Sequence, residues 1–292
     1  MTVETLKNQF LEVSVASLGA ELQSIKDSNG KEYLWDGNPE FWGRRSPILF
    51  PIVCGLWQGQ YRTEGQTFKM ERHGFARDTE FELIRKTDDR LTYVLKDSEE
   101  TMKLYPYRFM LSITYRLEKN TIHVIWHVHN TDTQEIHFQI GGHPAFCVPG
   151  CNAGEPLKGK LDLHNEKPVE RIFGNVGGCI IPGHHEVPTE NSIWEFNEES
   201  FKDDAVIFDQ SQIKSISLLD EEDKPAVTLN FRSPAVGIWS PYGKHAPFVC
   251  IEPWYGIHDF AEFKGEFRDK YLMNHLQPGA SFLSEYTIEI GY

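Results

Sequence analysis

Short runs in which apolar and polar residues alternate recur along most of this chain. The clearest of them occupy residues 10–15, 80–84, 91–95, 109–115 and 121–129. Alternation with a period of two is typical of a half-buried β-strand, and the turn signals between the runs have the spacing of antiparallel sheets. The pattern predicts an all-β protein with little helix, and only a short piece near 259–263 favours helix.

The second half of the chain continues in the same way after a weaker stretch. Residues 147–200 have the least regular pattern, which predicts long loops around short strands. Further strands are predicted at 205–208, 213–219, 226–231, 237–240 and 281–290. We find no internal repeat and no linker-like change in composition, so we predict one domain over residues 1–292.

The strand predicted at 121–129 has an apolar face and a histidine-rich face. Ile122, Val124, Trp126 and Val128 lie on the first, and His123, His127 and His129 share the second with Ile125. Three imidazoles on one face are compatible with a metal site. Ordinary histidines of a sheet surface are the favoured alternative, because the sequence fixes no carboxylate or third ligand beside them.

Composition and charge narrow the class of protein. Hydrophobic residues make up 40% of the chain and charged residues 25%, as in soluble globular proteins. A formal net charge of −14 repels nucleic acids and anionic membrane surfaces. No apolar run approaches the roughly 18 residues of a membrane span, and the first residues do not resemble a secretory signal. We therefore expect a cytoplasmic protein without nucleic-acid or membrane partners.

The cysteines argue against a disulfide framework and against a structural zinc site. The five are scattered and none has CxxC spacing, which predicts reduced thiols: Cys54, Cys147, Cys151, Cys179 and Cys250. A bridge between Cys147 and Cys151 is a less favoured alternative in a reducing compartment.

Three separate stretches carry polar side chains of the kind found in active sites. His143 follows a strand-like run and two glycines, which permit unusual backbone angles. His73 lies within 71–77 and Glu252 within 250–256, and we predict that the three stretches converge on one cleft. Glu252 is flanked by apolar residues, where an unpaired carboxylate is costly, so we expect it to have a partner.

Four motifs in the same order resemble the aldose 1-epimerase (galactose mutarotase) family, and most closely its LacX-like branch. They are Trp42-x-Arg44 with 47–51, His73-Gly74-Phe75-Ala76-Arg77, 141–146, and Ile251-Glu252-Pro253-Trp254. Each motif is short, but together they span nearly the whole chain.

The resemblance implies a large antiparallel β-sandwich of the galactose mutarotase type. It also implies an isomerase that interconverts the α and β anomers of a free aldose, with no cofactor and no metal. Its partner is then a small sugar, and the protein is a monomer or a homodimer. Carried over by motif, Glu252 is the general base and His143 the general acid, while His73 and Arg44 hold sugar oxygens.

These roles agree with the chemistry. Opening a hemiacetal ring requires a base for the anomeric hydroxyl and an acid for the ring oxygen at the same time. We therefore expect His143 and Glu252 to face each other across a gap the width of one monosaccharide.

Some positions depart from the family pattern or remain open. Gly142-His143-Pro144-Ala145-Phe146 differs from the family's Asn-His-x-x-Phe, which leaves the sugar undetermined. Asp204 and Asp209 are both candidates for a substrate-holding aspartate. Trp254 is either core or a stacking surface for a pyranose.

The basic residues also have alternative interpretations. Arg44 and Arg45 are either a solvated pair or ligands for an anion or hydroxyl. With Arg77 they could hold a sugar phosphate, as in the similar hexose-6-phosphate epimerases. The alternative functions are thus a hexose-phosphate 1-epimerase and a non-catalytic carbohydrate-binding or regulatory module. A glycosidase is less favoured, since no second carboxylate motif of equal quality is present.

Overall fold

Antiparallel strands make up nearly all of the regular structure. The computed structural model describes residues 1–291, with the side chains of 173–176 excepted. The strands are β1 (Val3–Lys7), β2 (Leu11–Ala16), β3 (Leu22–Asp27), β4 (Ile48–Leu49), β5 (Gln60–Thr63), β6 (Gln66–Lys69), β7 (Glu82–Lys86), β8 (Arg90–Lys96), β9 (Phe109–Glu118), β10 (Thr121–Asn130), β11 (Ile136–Phe138), β12 (Ile140–Gly142), β13 (Ala145–Cys147), β14 (Lys158–Asp162), β15 (Val169–Val176), β16 (Cys179–Val187), β17 (Ile193–Asn197), β18 (Val206–Phe208), β19 (Ser215–Leu219), β20 (Pro225–Phe231), β21 (Ala235–Trp239), β22 (Phe248–Tyr255), β23 (Asn274–Leu276) and β24 (Ser281–Ile290).

Two large sheets carry most of these strands. The nine-stranded sheet has the order β17-β14-β19-β20-β24-β10-β9-β8-β7. The eight-stranded sheet has the order β16-β15-β18-β21-β22-β12-β4, and β13 also pairs with β22. Smaller sheets join β1-β2-β3, β5-β6 and β11-β23.

The alternation in the sequence explains how the two large sheets pack. Along β10, Val124, Trp126 and Val128 are at most 1% exposed, while the residues between them are partly exposed. They belong to one buried cluster with Val249 and Ile251 of β22 in the other sheet. The apolar faces of the two sheets therefore share a core, and the predicted antiparallel β-sandwich is confirmed.

The prediction of helix at 259–263 is wrong. Phe260 instead forms an isolated bridge with Ile180, and Asp259 donates its backbone N–H to the Gly55 carbonyl at 3.0 Å. The α-helix is α1, Glu99–Leu104, which Ser98 and Thr101 start with a capping box. Short 3₁₀ turns lie at Trp57–Gly59, Ala76–Asp78, Glu198–Phe201 and Phe267–Asp269. Within residues 1–291, no helix is long and apolar enough to cross a membrane.

The region of weak periodicity contains longer strands than predicted. β15 and β16 have eight and nine residues and form a hairpin through Gly177 and Gly178, which both have positive φ. Their pairing contains two register shifts, between Ile172/Phe173 and Phe173/Val176. Each shift disrupts the period-two pattern, because the bulged residue has no partner across the ladder.

Among the described residues, the histidine face of β10 forms no metal-ligand group and the cysteines form no disulfide. The rings of His127 and His129 lie 6.3 Å apart, and His129 Nδ1 is 2.9 Å from Ser281 Oγ. None of the β10 histidines belongs to a potential metal-ligand group among the described residues. All five cysteines are free thiols, so Cys147 and Cys151 are not bridged.

We predict that the shared core dominates stability, which two isoleucines of the nine-stranded sheet test. Ile113 in β9 is fully buried, whereas Ile84 in β7 is 56% exposed. Ile113→Ala should lower the free energy of unfolding by about 2–5 kcal/mol, since it leaves a cavity. The matched control Ile84→Ala should change it by less than about 1 kcal/mol. Urea unfolding measures both, and equal losses would contradict the proposed core.

Candidate active site

One small cavity lies on the eight-stranded sheet and is lined by most of the predicted site residues. Its volume is about 270 Å³, near the lower limit for small-molecule pockets. Its walls are formed by Trp42, Cys54, Arg72, His73, Arg77, His143, Asp204, Ala205, Trp239, Glu252 and Trp254.

Strand β22 supplies one wall of this pocket. Alternate residues of a strand share a face, so Glu252 and Trp254 project to the same side. Their partners across the ladder are glycines: Gly237 pairs with Glu252, and Gly141 pairs with Trp254. A Cβ atom on Gly237 would lie 2.3 Å from the Trp254 ring. The two glycines therefore make room for the indole beside the carboxylate.

His143 reaches the same wall from the neighbouring strand. It directly follows β12, which lies between β22 and β4 in the sheet. His143 Nε2 is 3.2 Å from Glu252 Oε2. The two residues are only 6% and 1% exposed. The expected partner of Glu252 is thus the imidazole of His143.

This contact corrects the expectation that a monosaccharide separates the two groups. At 3.2 Å no sugar fits between His143 Nε2 and Glu252 Oε2. The anomeric oxygen and the ring oxygen of a pyranose are bonded to the same carbon. An acid and a base that serve both oxygens must therefore lie side by side, and the sugar must approach the pair from one side.

Aromatic rings hold the His143 imidazole in place. Trp42 stacks on it with ring centroids 4.8 Å apart and an interplanar angle of 27°. Trp239 and His73 contact it edge-on, at 5.7 Å and 5.4 Å between centroids. Trp239 and Trp42 were not predicted as site residues, although Trp42 belongs to a motif that carried the resemblance.

His73 lies in a loop with a strained backbone, and a hydrogen bond from that loop fixes its tautomer. Its φ is +71°, and a Cβ atom on the following Gly74 would be 2.2 Å from the Phe50 carbonyl oxygen. The Cys54 backbone N–H donates to His73 Nδ1 at 3.1 Å. Because Nδ1 accepts this bond, the proton of the neutral ring resides on Nε2.

Burial controls the protonation of the central pair. It lowers the pKa of His143 to about 3, and the charges of Arg72 and Arg77 act in the same direction. Burial also raises the pKa of Glu252 well above its ordinary value, against the effect of the Arg72 charge. The pair therefore retains one proton near neutrality, and a shift of that proton between Oε2 and Nε2 leaves its total charge unchanged.

Three ion pairs, two of which share Asp78, border the pocket. Arg72 donates to Asp204 at 2.7 Å, and Asp204 has a φ of +79° in the loop before β18. Arg44 donates to Asp78 at 2.8 Å, while Arg77 Nε is 3.5 Å from the other oxygen of Asp78. Sequence reasoning missed Arg72, whose signal was its position directly before His73.

The structure separates the remaining candidates. Arg44 does not line the pocket, but it shares Asp78 with Arg77, which does. Arg45 donates to the Gln23 carbonyl at 2.5 Å. Asp209 lies in another cavity, where Tyr271 Oη donates to it at 3.0 Å and His184 Nε2 is 2.8 Å away. Of the two aspartates, only Asp204 borders the candidate site.

Several buried polar atoms of the pocket have no hydrogen-bond partner among the described residues. They are Arg77 Nε, His143 Nδ1, Glu252 Oε2 and Trp254 Nε1. An unsatisfied buried polar group costs about 1–3 kcal/mol, so a cluster of them in one cavity favours a ligand rich in hydroxyl groups.

The same wall offers a poor set of metal ligands. One ligand atom each of His143, Cys250 and Glu252 lies within 4.8 Å of the others. Burial raises the pKa of the Cys250 thiol well above its ordinary value. Because only the thiolate is a good ligand, the site suits proton transfer better than metal binding.

Comparisons with known proteins agree with the fold. The aldose 1-epimerase family model matches residues 2–272. The chromosomal LacX protein of Lactococcus lactis is 31% identical over 300 residues, which cover 99% of each chain. A galactose mutarotase related enzyme from Lactobacillus acidophilus is 35% identical, with a TM-score of 0.93 over 100% of this chain and 98% of the other. A galactose mutarotase-like protein from Lactobacillus casei is 30% identical, with a TM-score of 0.94 over 99% and 100%.

The chain belongs to the aldose 1-epimerase family. Family membership supports an isomerase-type enzyme that acts on small sugars.

We predict that His73 remains neutral, with its proton on Nε2, across the physiological pH range. Burial lowers the pKa of His73 well below the ordinary value, so protonation requires a more acidic pH than a free imidazole does. Nitrogen-15 histidine spectra, assigned with a His73→Asn variant, should show an unprotonated Nδ1 and a protonated Nε2. An imidazolium pattern for His73 at pH 6 would contradict this geometry.

Proposed function

We propose that this protein is an aldose 1-epimerase that uses Glu252 and His143 as a general base and a general acid. The observation that carries the proposal is the direct contact of these two buried groups, 3.2 Å apart, in the wall of a pocket of about 270 Å³. Such a pocket suits one monosaccharide, and the contact places both proton-transfer groups beside one carbon atom.

The reaction follows from this arrangement. The Glu252 carboxylate removes the proton of the anomeric hydroxyl, while the His143 imidazolium gives a proton to the ring oxygen. The bond between C1 and the ring oxygen breaks with its electrons going to that oxygen, and C1 becomes an aldehyde. After rotation about the C1–C2 bond, His143 takes back the proton of the new hydroxyl as it attacks C1. Glu252 then returns its proton to the carbonyl oxygen.

Every atom and electron is recovered in this cycle, so it requires no redox cofactor. The ion pair from which it starts contains the same number of protons as neutral Glu252 and neutral His143. Hydrogen bonds that a sugar donates to the carboxylate favour the ionised form. Substrate binding thus converts the resting pair into the reactive one without exchanging a proton with solvent.

The other walls suit the binding of a pyranose. Arg72 and Asp204 present a donor and an acceptor to sugar hydroxyls, and His73 offers its Nε2 proton. The aromatic face of Trp239, which is partly exposed, can cover apolar ring carbons. Trp254 is only 1% exposed and belongs to the core beneath the pocket. We assign the substrate-holding aspartate to Asp204, because Asp209 lies in a different cavity.

A phosphorylated aldose is the second candidate, and the charge balance of the pocket favours it. Asp204 balances Arg72, and Asp78 balances Arg44. Arg77 has only a 3.5 Å contact to Asp78, and its Nε has no hydrogen-bond partner among the described residues. One positive charge is therefore incompletely paired beside the pocket, where it could bind a phosphate.

We predict that Glu252→Gln and His143→Asn each reduce kcat by about 10²-fold to 10⁴-fold, because each removes a proton-transfer group. Magnetisation exchange between the α and β anomers measures the rate, with a panel of free aldoses and their 6-phosphates as substrates. The matched control is Asp209→Asn, which changes a carboxylate that is also 1% exposed but lies outside the pocket. It should retain wild-type activity.

The outcome also separates the alternatives. Sugar binding without faster anomer exchange in the wild-type protein would identify a binding module and overturn the enzymatic proposal. A clear preference for 6-phosphates that is lost in Arg77→Met would identify the second candidate.

We predict a bell-shaped dependence of kcat/KM on pH, because only a pair that retains one proton can work. On the acidic side, activity falls as pH drops towards the pKa of His143, which is about 3, since a fully protonated pair has no base. On the alkaline side, activity falls as pH rises through the raised pKa of Glu252, since a fully deprotonated pair has no acid. Measured rates are corrected for spontaneous mutarotation. An acidic limb at the ordinary imidazole pKa of about 6.5 would contradict this assignment.

A further inference from the structure

A second group of potential ligands lies outside the pocket, on the small sheet formed by β11 and β23. His137 and His275 are direct partners across these two strands. Their Nδ1 atoms are 3.0 Å apart. A carboxylate oxygen of Glu135 lies within 4.8 Å of one ring nitrogen of each histidine. None of these three residues lines the candidate active site.

The distance between the two imidazole nitrogens is close to the distance between two nitrogen ligands of one metal ion. Tetrahedral zinc with Zn–N distances of about 2.0–2.1 Å separates two nitrogen ligands by about 3.3 Å. The observed 3.0 Å is therefore within a few tenths of an ångström of this value. A Glu135 oxygen already lies within 4.8 Å of the two histidines, so an adjustment of this partly exposed side chain brings its carboxylate to the third position.

The surrounding structure holds the ligand-bearing segments firmly. Tyr105 Oη donates to the His137 carbonyl at 2.9 Å. Asn274, next to His275, donates to the Phe138 carbonyl at 3.0 Å. The first bond anchors β11 to Tyr105, at the end of α1, and the second joins β23 to β11. The two histidines are therefore held opposite each other on the paired strands.

The carboxylate is held as well. Gln277 Nε2 donates to Glu135 Oε1 at 2.6 Å. A hydrogen bond of this kind orients a metal-binding carboxylate and leaves its second oxygen for the ion. His275 is exposed and His137 is 7% exposed, which gives an ion access from solvent to a site that is closed on its inner side.

We propose that Glu135, His137 and His275 bind a divalent transition-metal ion of the kind that prefers imidazole ligands, with Zn²⁺ as the best fit. Two imidazoles and one carboxylate are a common ligand set for such ions, and water would complete a tetrahedron. The ion would join β23, near the C-terminal end of the chain, to β11, which leads into β12 and His143. Because a ligand that binds only the folded state stabilises it, the ion should raise the thermal stability of the protein.

The test uses the full-length chain without an affinity tag, stripped of metal with a chelator. Calorimetric titration with Zn²⁺ should show one ion bound per chain and a matching rise in Tm. His275→Gln should weaken Zn²⁺ binding by at least about 100-fold, because loss of a residue that merely orients a ligand already costs about 10-fold to 100-fold. Glu135→Gln should weaken it by at least about 10-fold.

The matched control is His245→Gln, which changes another exposed histidine that is likewise near a carboxylate, at 2.9 Å from Glu198. It should bind Zn²⁺ as the wild-type protein does. Co²⁺ serves as a spectroscopic probe, since ligation by Cys250 in the group with His143 and Glu252 would produce a thiolate charge-transfer band. The proposed site contains no sulfur and should produce none.

Three results would overturn the proposal. The first is no Zn²⁺ binding by the stripped wild-type protein, which would make the contact of His137 and His275 a simple hydrogen bond. The second is equal binding by wild type and His275→Gln while circular dichroism shows both to be folded. The third is a Co²⁺ spectrum with thiolate bands that His275→Gln does not change.

Discussion

The removal of one carboxylate and one imidazole from water is the constraint on which the candidate site depends. Glu252 and His143 are almost fully buried, and an isolated charge on either would be costly there. Their contact at 3.2 Å allows one proton to serve both groups. This contact lowers the free-energy cost of burying the two groups, and it also places a proton donor and a proton acceptor side by side. Its stability and its proposed chemistry therefore have one cause.

Strands and loops contribute different residues to the candidate site. Glu252 is carried by β22, and His143 directly follows β12, its neighbour in the eight-stranded sheet. His73 and Asp204 come from loops, and both have positive φ. Strands fix the distance between the two groups to which we assign proton transfer, whereas loops can vary to suit different ligands. Only glycines at positions 141 and 237 allow the Trp254 ring to lie against these strands.

The sequence predicted the parts of the structure that local patterns determine. β10 was found because its alternation is unbroken, while β15 and β16 were underestimated because register shifts interrupt theirs. α1 was missed, since its capping box uses Thr101 where the usual signal is Glu or Gln. In the site, motifs placed His143 and Glu252 in one cleft. Which of Asp204 and Asp209 borders the pocket depends on how the loops fold over it, and the local sequence pattern does not predict that.

The geometry of the central contact completes the argument for a site prepared to react. His143 Nε2 is close to Glu252 Oε2, yet the two are not aligned as a hydrogen bond, and Oε2 has no partner among the described residues. A well-aligned bond to a charged group would be worth about 1.5–3 kcal/mol, which a sugar would have to replace. A close contact that is not a well-aligned hydrogen bond leaves Oε2 available to a ligand. In the proposed reaction, the anomeric hydroxyl of a sugar therefore binds without first breaking a strong interaction inside the protein.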